Sequence, residues 1–104
     1  METTTTYIPQ LKDIQQARQR LSGVVTHTPL MPNLTYSEKY QANVLFKRED
    51  LQVVRSYKIR GAHNKISGLS EAEKKRGVVC ASAGNHAQGV AYSCHILQVN
   101  ATVY

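Results

Sequence analysis

No stretch of the 104 residues is apolar for long enough to cross a bilayer. The start, Met1-Glu2 followed by four threonines, has neither the basic flank nor the apolar core of a signal peptide. Residues 1–7 are therefore expected to form a disordered tail, and the protein to be soluble and cytoplasmic with no membrane partner. Cysteine is scarce. Cys80 and Cys94 are the only two, too few for a disulfide framework, and no histidine stands near them at metal-ligand spacing. Both are expected to be reduced, partly buried thiols, and no metal site is expected. His27, His63 and His95 also lack partners at ligand spacing and read as surface or packing residues. Acidic residues are few, 7 against 13 Lys and Arg, for a net charge of +6. That balance invites a nucleic-acid partner. The basic residues, however, are spread along the chain without interleaved aromatics, and no recognised nucleic-acid module is present. The densest cluster, Lys74-Lys75-Arg76, falls at a helix end where cations suit the dipole. No nucleic-acid partner is expected, and the surplus charge suits attraction of an anionic cofactor and substrate.

What is present is an alternation of short apolar runs and helical periods in one domain-sized unit. Ile8, Leu11, Ile14, Ala17 and Leu21 outline a helix that Gly23 can close. Residues 24–30 are extended, Pro29 holding Thr28 out of the helical region. Thr35 and Glu38 fit a capping box for a short helix to Tyr40. Val44, Leu45 and Phe46 suit a strand covered on both faces, as in a parallel sheet. Lys47-Arg48-Glu49-Asp50 follows as a solvated or ion-paired strand end with no catalytic role. Ser70 and Glu73 form a second candidate capping box, and Gly77 admits a strand over residues 78–81. Ala87, Val90, Ala91, Cys94 and Leu97 line one side of the next helix, and residues 101–104 begin another strand. The alternation argues for an α/β protein with parallel strands.

Two segments carry candidate chemistry. In Arg55-Ser56-Tyr57-Lys58-Ile59-Arg60-Gly61-Ala62, Ile59, Ala62, Ile66 and Leu69 recur at helical spacing, with Ser56 as N-cap and Lys58 in the first turn. The positive end of a helix dipole disfavours an ammonium, so the Lys58 amine is expected to lean toward its nucleophilic form. Schiff-base chemistry with an aldehyde needs such an amine; an ordinary solvent-facing lysine has the same sequence. In Ala81-Ser82-Ala83-Gly84-Asn85-His86-Ala87-Gln88-Gly89, Gly84 permits a tight turn. The amides beyond it open a helix, a cradle for a carboxylate or phosphate. An ordinary helix start capped by Asn85 or Ser82 fits these residues too. Both segments fall between a strand end and a helix start, where parallel sheets gather ligands.

Together, in this order, the two segments resemble the signature of the fold-type-II pyridoxal-phosphate enzymes, in particular the threonine/serine dehydratases. The resemblance runs from about Tyr7 to the end of the chain. It implies the tryptophan synthase β-like fold and pyridoxal 5′-phosphate as cofactor. Lys58 would hold the cofactor through its amine and act as base on the substrate Cα proton. Tyr57 would pack beside the cofactor, and Asn85 would hydrogen-bond its ring hydroxyl. Ser82, Gly84, Asn85 and His86 would grip the substrate carboxylate, His86 through its amide. The implied reaction turns L-threonine into 2-oxobutanoate and ammonia, or L-serine into pyruvate, in isoleucine biosynthesis or threonine catabolism. A homo-oligomer is implied for the full-length form. The family's glycine-rich phosphate loop, and its Ser/Thr for the pyridine nitrogen, are missing from this sequence. Residues 1–104 therefore read as the N-terminal portion of a catalytic domain. A catalytically inactive fragment that acts only by packing on a partner remains an alternative, and a small basic nucleic-acid binder a third.

Overall fold

Pro9 decides where the first helix of this computed structural model begins. The structure describes residues 6–104, so the tail expected over residues 1–7 lies largely outside the described residues. Helix α1 spans Leu11–Leu21 rather than starting at Ile8, because the residue before a proline is held out of the helical region. The Gln10 amide donates to Asp13 Oδ2 at 2.7 Å across the first turn. Ser22 and then Gly23, with φ +78°, close the helix at its other end as its residue types predict.

Strand β1 (Leu30–Pro32), helix α2 (Leu34–Tyr40) and strand β2 (Leu45–Lys47) come next. Strands β1 and β2 pair antiparallel, with Met31 opposite Phe46, and all six residues are exposed. This corrects the expectation that residues 44–46 form a parallel strand covered on both faces. A short apolar run carries no information on the direction of its partner. The cap of α2 also differs from expectation. Asn33, not Thr35, takes the N-cap and accepts the Tyr36 amide at 2.9 Å, which leaves Thr35 inside the first turn.

Helix α3 (Lys58–Ser67), helix α4 (Glu71–Arg76), strand β3 (Val78–Cys80), helix α5 (Asn85–Leu97) and strand β4 (Ala101–Val103) complete the order. The capping box of α4 forms as its sequence predicts, Ser70 N–H to Glu73 at 2.7 Å and Glu73 N–H to Ser70 Oγ at 3.2 Å. Strands β3 and β4 are parallel, Val79 opposite Thr102, with α5 as the crossover. Gly77 has φ +81°, and a Cβ there would come within 2.8 Å of the Asn100 carbonyl oxygen. Only glycine lets β3 start against that carbonyl. The two sheets are separate, so β2 and β3 do not share one.

The core lies between α3 and α5, where Ala62, Ile66, Val90, Cys94 and Val99 are buried, flanked by Leu69, Val78, Cys80 and Leu97. Both cysteines are free; Cys94 is buried and Cys80 half-buried. Elsewhere apolar faces stay uncovered: Leu34 is 82 %, Leu11 73 % and Val79 70 % exposed. The radius of gyration is 17.0 Å, against about 13 Å for a compact domain of this size. Among the described residues no helix is long and apolar enough to cross a membrane.

His63 is buried in the α3 face with Nδ1 unpartnered among the described residues, and burial pushes its pKa below the ordinary value. The unfolded chain therefore takes up the proton first as pH falls. The His63 contribution to stability is complete above the unfolded pKa of about 6.5 and is lost progressively below it. Thermal melts at pH 7.5 and 5.5 should show a lower melting temperature in acid, and His63→Leu should reduce that difference. An equal acid loss in the leucine variant would contradict the assignment.

Candidate active site

Three segments converge on the first turn of α3. A 3-10 turn, Glu49–Leu51, precedes it, and Gln52 is buried at 1 % exposure. The Gln52 carboxamide accepts the Thr26 amide at 2.9 Å and donates to the Thr26 carbonyl at 2.8 Å, tying the 3-10 turn to the extended segment before β1. Arg55 then adopts φ +62°, a left-handed conformation that costs a non-glycine residue about 1–2 kcal/mol. Tyr57 takes the N-cap position, one residue beyond the expected Ser56, whose Oγ accepts the Lys58 amide at 3.4 Å. Lys58 is half-buried, and its Nζ lies 5.4 Å from the centre of the Tyr57 ring. Tyr57 is 61 % exposed and so is not a core aromatic.

The charged segment before this loop is ion-paired, as its sequence suggests. Arg48 pairs with Asp50 at 2.7 Å, and Arg60 Nε pairs with Glu49 Oε2 at 2.7 Å. The Arg60 guanidinium, helped by the Thr28 hydroxyl and the Gln52 carboxamide, outweighs desolvation and holds the Glu49 carboxyl down to about 2.

The second segment opens α5. Ser82, rather than Asn85, supplies the capping oxygen: its Oγ accepts the Gly84 amide at 3.3 Å and the Ala87 amide at 3.2 Å. Because that oxygen accepts two N–H groups, the hydroxyl proton is free to donate elsewhere. The Asn85 and His86 amides have no hydrogen-bond partner among the described residues. Both residues are exposed, and a Cβ at Gly84 would meet nothing within 4 Å. The turn is open, with unpaired donors at the positive end of a helix.

Gly89 brings the two segments together. A Cβ there would stand 3.0 Å from both the carbonyl carbon and oxygen of Lys58 and 3.2 Å from the Ile59 nitrogen. Helix α5 therefore meets α3 backbone to backbone at Lys58. Gly89 lies four residues beyond Asn85, about 6 Å along the helix axis. The helix start that bears Lys58 and the one that bears the unpaired amides are thus neighbours. Gly89 closed the second segment in the sequence without a role. Its signal was a glycine on a helical stretch, where it weakens the helix unless packing requires it.

Not every residue of interest faces this edge. His86 also lines a groove of about 450 Å³ between α3, α4 and β3, together with Ile66, Val78 and Val90; Lys58, Ser82 and Asn85 lie outside that lining. His27 and His95 are exposed. Among the described residues no three His, Cys, Asp or Glu side chains group as metal ligands.

A family model described as pyridoxal-phosphate dependent enzyme matches residues 21–104. The biosynthetic L-threonine dehydratase IlvA of Halalkalibacterium halodurans is 59 % identical over 95 residues, 91 % of this chain and 23 % of that protein. The enzyme of the same name from Bacillus subtilis is 54 % identical over 95 residues, 91 % of this chain and 22 % of its own. The chain thus spans less than a quarter of the curated relatives it matches. Among solved structures, maize serine racemase superposes with a TM-score of 0.85 at 32 % identity, over 93 % of this chain and 30 % of that one. A threonine deaminase of T.th. superposes with a TM-score of 0.78 at 36 % identity, over 90 % of this chain and 33 % of its own.

The backbone contact at Gly89 yields a paired prediction. Gly89→Ala forces a methyl group against main-chain atoms that cannot rotate away, and should destabilise the fold by about 1–3 kcal/mol. Gly61→Ala, in α3 with nothing within 4 Å of its Cβ, should instead stabilise by about 0.5–1 kcal/mol. Urea denaturation checks both; equal effects of the two changes would contradict the close approach.

Proposed function

The chain belongs to the pyridoxal-phosphate-dependent enzyme family, and from that premise we propose that it is the lysine-bearing portion of an L-threonine dehydratase. The enzyme would convert L-threonine to 2-oxobutanoate and ammonia on the biosynthetic route to isoleucine. The observation that supports this reading is the Gly89 contact, which brings the Lys58 backbone against α5 about one helical turn from the unpaired amides of Asn85 and His86. Threonine is preferred to serine as substrate because the curated relatives at 54–59 % identity bear the name biosynthetic L-threonine dehydratase.

The donor set fits the cofactor: a primary amine for its aldehyde, a carboxamide for its ring hydroxyl, and helix-terminal amides for an anion. The chemistry supplied by pyridoxal 5′-phosphate, when bound, is uptake of the electron pair left at the amino-acid Cα as its proton departs. Lys58 would hold the cofactor through Nζ and, once displaced, carry the Cα proton on the same nitrogen. The exposed Tyr57 ring beside Nζ would flank the cofactor. Asn85 would orient the ring through its side chain. Ser82, with its hydroxyl proton free, and the backbone from Gly84 to His86 would grip the substrate carboxylate and turn Cα toward Lys58. Cytoplasmic location and homo-oligomeric assembly of the whole enzyme belong to the same proposal and rest on the resemblance alone.

Two observations favour a second reading. The uncovered apolar faces and the radius of gyration of 17.0 Å suit a polypeptide that acts only by packing on a partner. The two readings separate on one experiment. Adding pyridoxal 5′-phosphate should give a yellow chromophore that borohydride fixes to Lys58 on peptide mapping, and Lys58→Ala should abolish it. A chromophore that survives in the alanine variant contradicts the assignment of Lys58, and no chromophore in the unaltered chain favours the packing reading.

A further inference from the structure

Lys58 follows a loop held at both ends around a strained residue. On the upstream side, Gln52 clamps Thr26 through two hydrogen bonds and donates more weakly to Glu49, at 3.4 and 3.3 Å. The Thr28 hydroxyl also donates to Glu49, and Thr28 and Gln52 are among the most buried side chains of the molecule. On the downstream side, Arg60 reaches back from the first turn of α3 and forks onto the same carboxylate, Nε to Oε2 at 2.7 Å and Nη2 to Oε1 at 2.9 Å. Between the two anchors, Arg55 keeps its left-handed conformation with its amide on the Gln52 carbonyl at 2.9 Å. A left-handed non-glycine residue persists only where its surroundings over-determine it.

The geometry of α3 gives this clamp a direction. Residues two apart on a helix point about 200° apart around its axis. Holding Arg60 on one flank therefore sets the direction in which the Lys58 side chain leaves the helix on the other. Contact with α5 at Gly89 sets how close the two helices lie, and burial of Ile59, Ala62 and Ile66 sets the face that α3 turns toward α5. Apolar contact, having no direction of its own, cannot fix the first turn finely. A bidentate carboxylate–guanidinium pair can, because its two parallel hydrogen bonds specify orientation as well as distance.

We propose that Glu49 is the positioning residue for Lys58, aiming its amine at the Ser82–His86 turn by holding Arg60 and the Thr26–Thr28 segment on one carboxylate. This rests on the reading that Lys58 captures pyridoxal phosphate. Glu49 touches neither cofactor nor substrate and takes no proton. Its segment carried no catalytic role on sequence grounds, and it carries none here; its role is orientation.

The test is competitive labelling within one chain. The unaltered protein is treated with limiting pyridoxal 5′-phosphate and borohydride, and the adduct at Lys58 is compared by peptide mapping with those at Lys65 and Lys75. Both of those lysines are exposed, and Lys65 lies on α3 itself, so general loosening of the helix moves it too. The unaltered chain should favour Lys58. Glu49→Gln, with helix content checked by circular dichroism, should lower the Lys58 to Lys65 ratio by about tenfold or more. Glu49→Asp, which keeps the charge, should recover part of it. A folded glutamine variant with an unchanged ratio overturns the proposal. If Glu49→Gln loses its helix signal, Arg60→Lys decides, since it keeps the positive charge and loses the fork; an unchanged ratio there overturns the proposal equally. Parity of Lys58 with Lys65 in the unaltered chain would instead overturn the Lys58 assignment, and the positioning role with it.

Discussion

Two helix backbones touch at Gly89, and most of what this chain offers chemically depends on that contact. A side chain at position 89 would crowd the Lys58 carbonyl, its Cβ only 3.0 Å away. Without one, the start of α5 lies beside the start of α3, and two positive helix ends share one edge. A half-buried lysine comes from one helix and unpaired amide donors from the other. Neither helix start is unusual alone, since lysines at helix starts and open amides after a glycine are common features. Their juxtaposition is the geometry on which the proposed site rests.

The same contact organises the core. Ala62, Ile66, Val90 and Cys94 are buried together between the same two helices. Burial of this strip comes with a buried histidine, His63, whose Nδ1 has no partner among the described residues. Outside the strip the chain is thinly packed. The β1–β2 pair exposes all its residues, and α1 buries little beyond Leu21.

Local chemistry was legible in the sequence, and long-range pairing was not. The Ser70–Glu73 capping box and the closing glycine at 23 are each decided within a few residues, so residue types suffice to predict them. The glycine at 77 marked the entry into β3, but not the Asn100 carbonyl it must admit. The direction of β2 was not legible, because an apolar triplet reads the same beside a parallel or an antiparallel neighbour. The caps at Asn33 and Tyr57 each fell within two residues of the expected Thr35 and Ser56. Asn33 outcompetes Thr35 for the Tyr36 amide, while Tyr57 caps by backbone position alone and Ser56 Oγ still accepts the Lys58 amide. Both segments of the candidate site could be read as helix starts after strands. That they meet could not, because nothing local to Gly89 names the peptide it must approach. The Glu49–Arg60 fork reads only as a charged loop until the fold brings residues 28, 49, 52 and 60 together.

The claim that α3 and α5 share backbone contact at Lys58 can be checked without cofactor, substrate or substitution. In a nuclear Overhauser experiment on the isotopically labelled chain, the Gly89 α-protons should give a strong cross-peak to the Ile59 amide proton. Helical connectivities through residues 58–67 and 85–97 without that cross-peak would show both helices formed and apart, and would contradict the account.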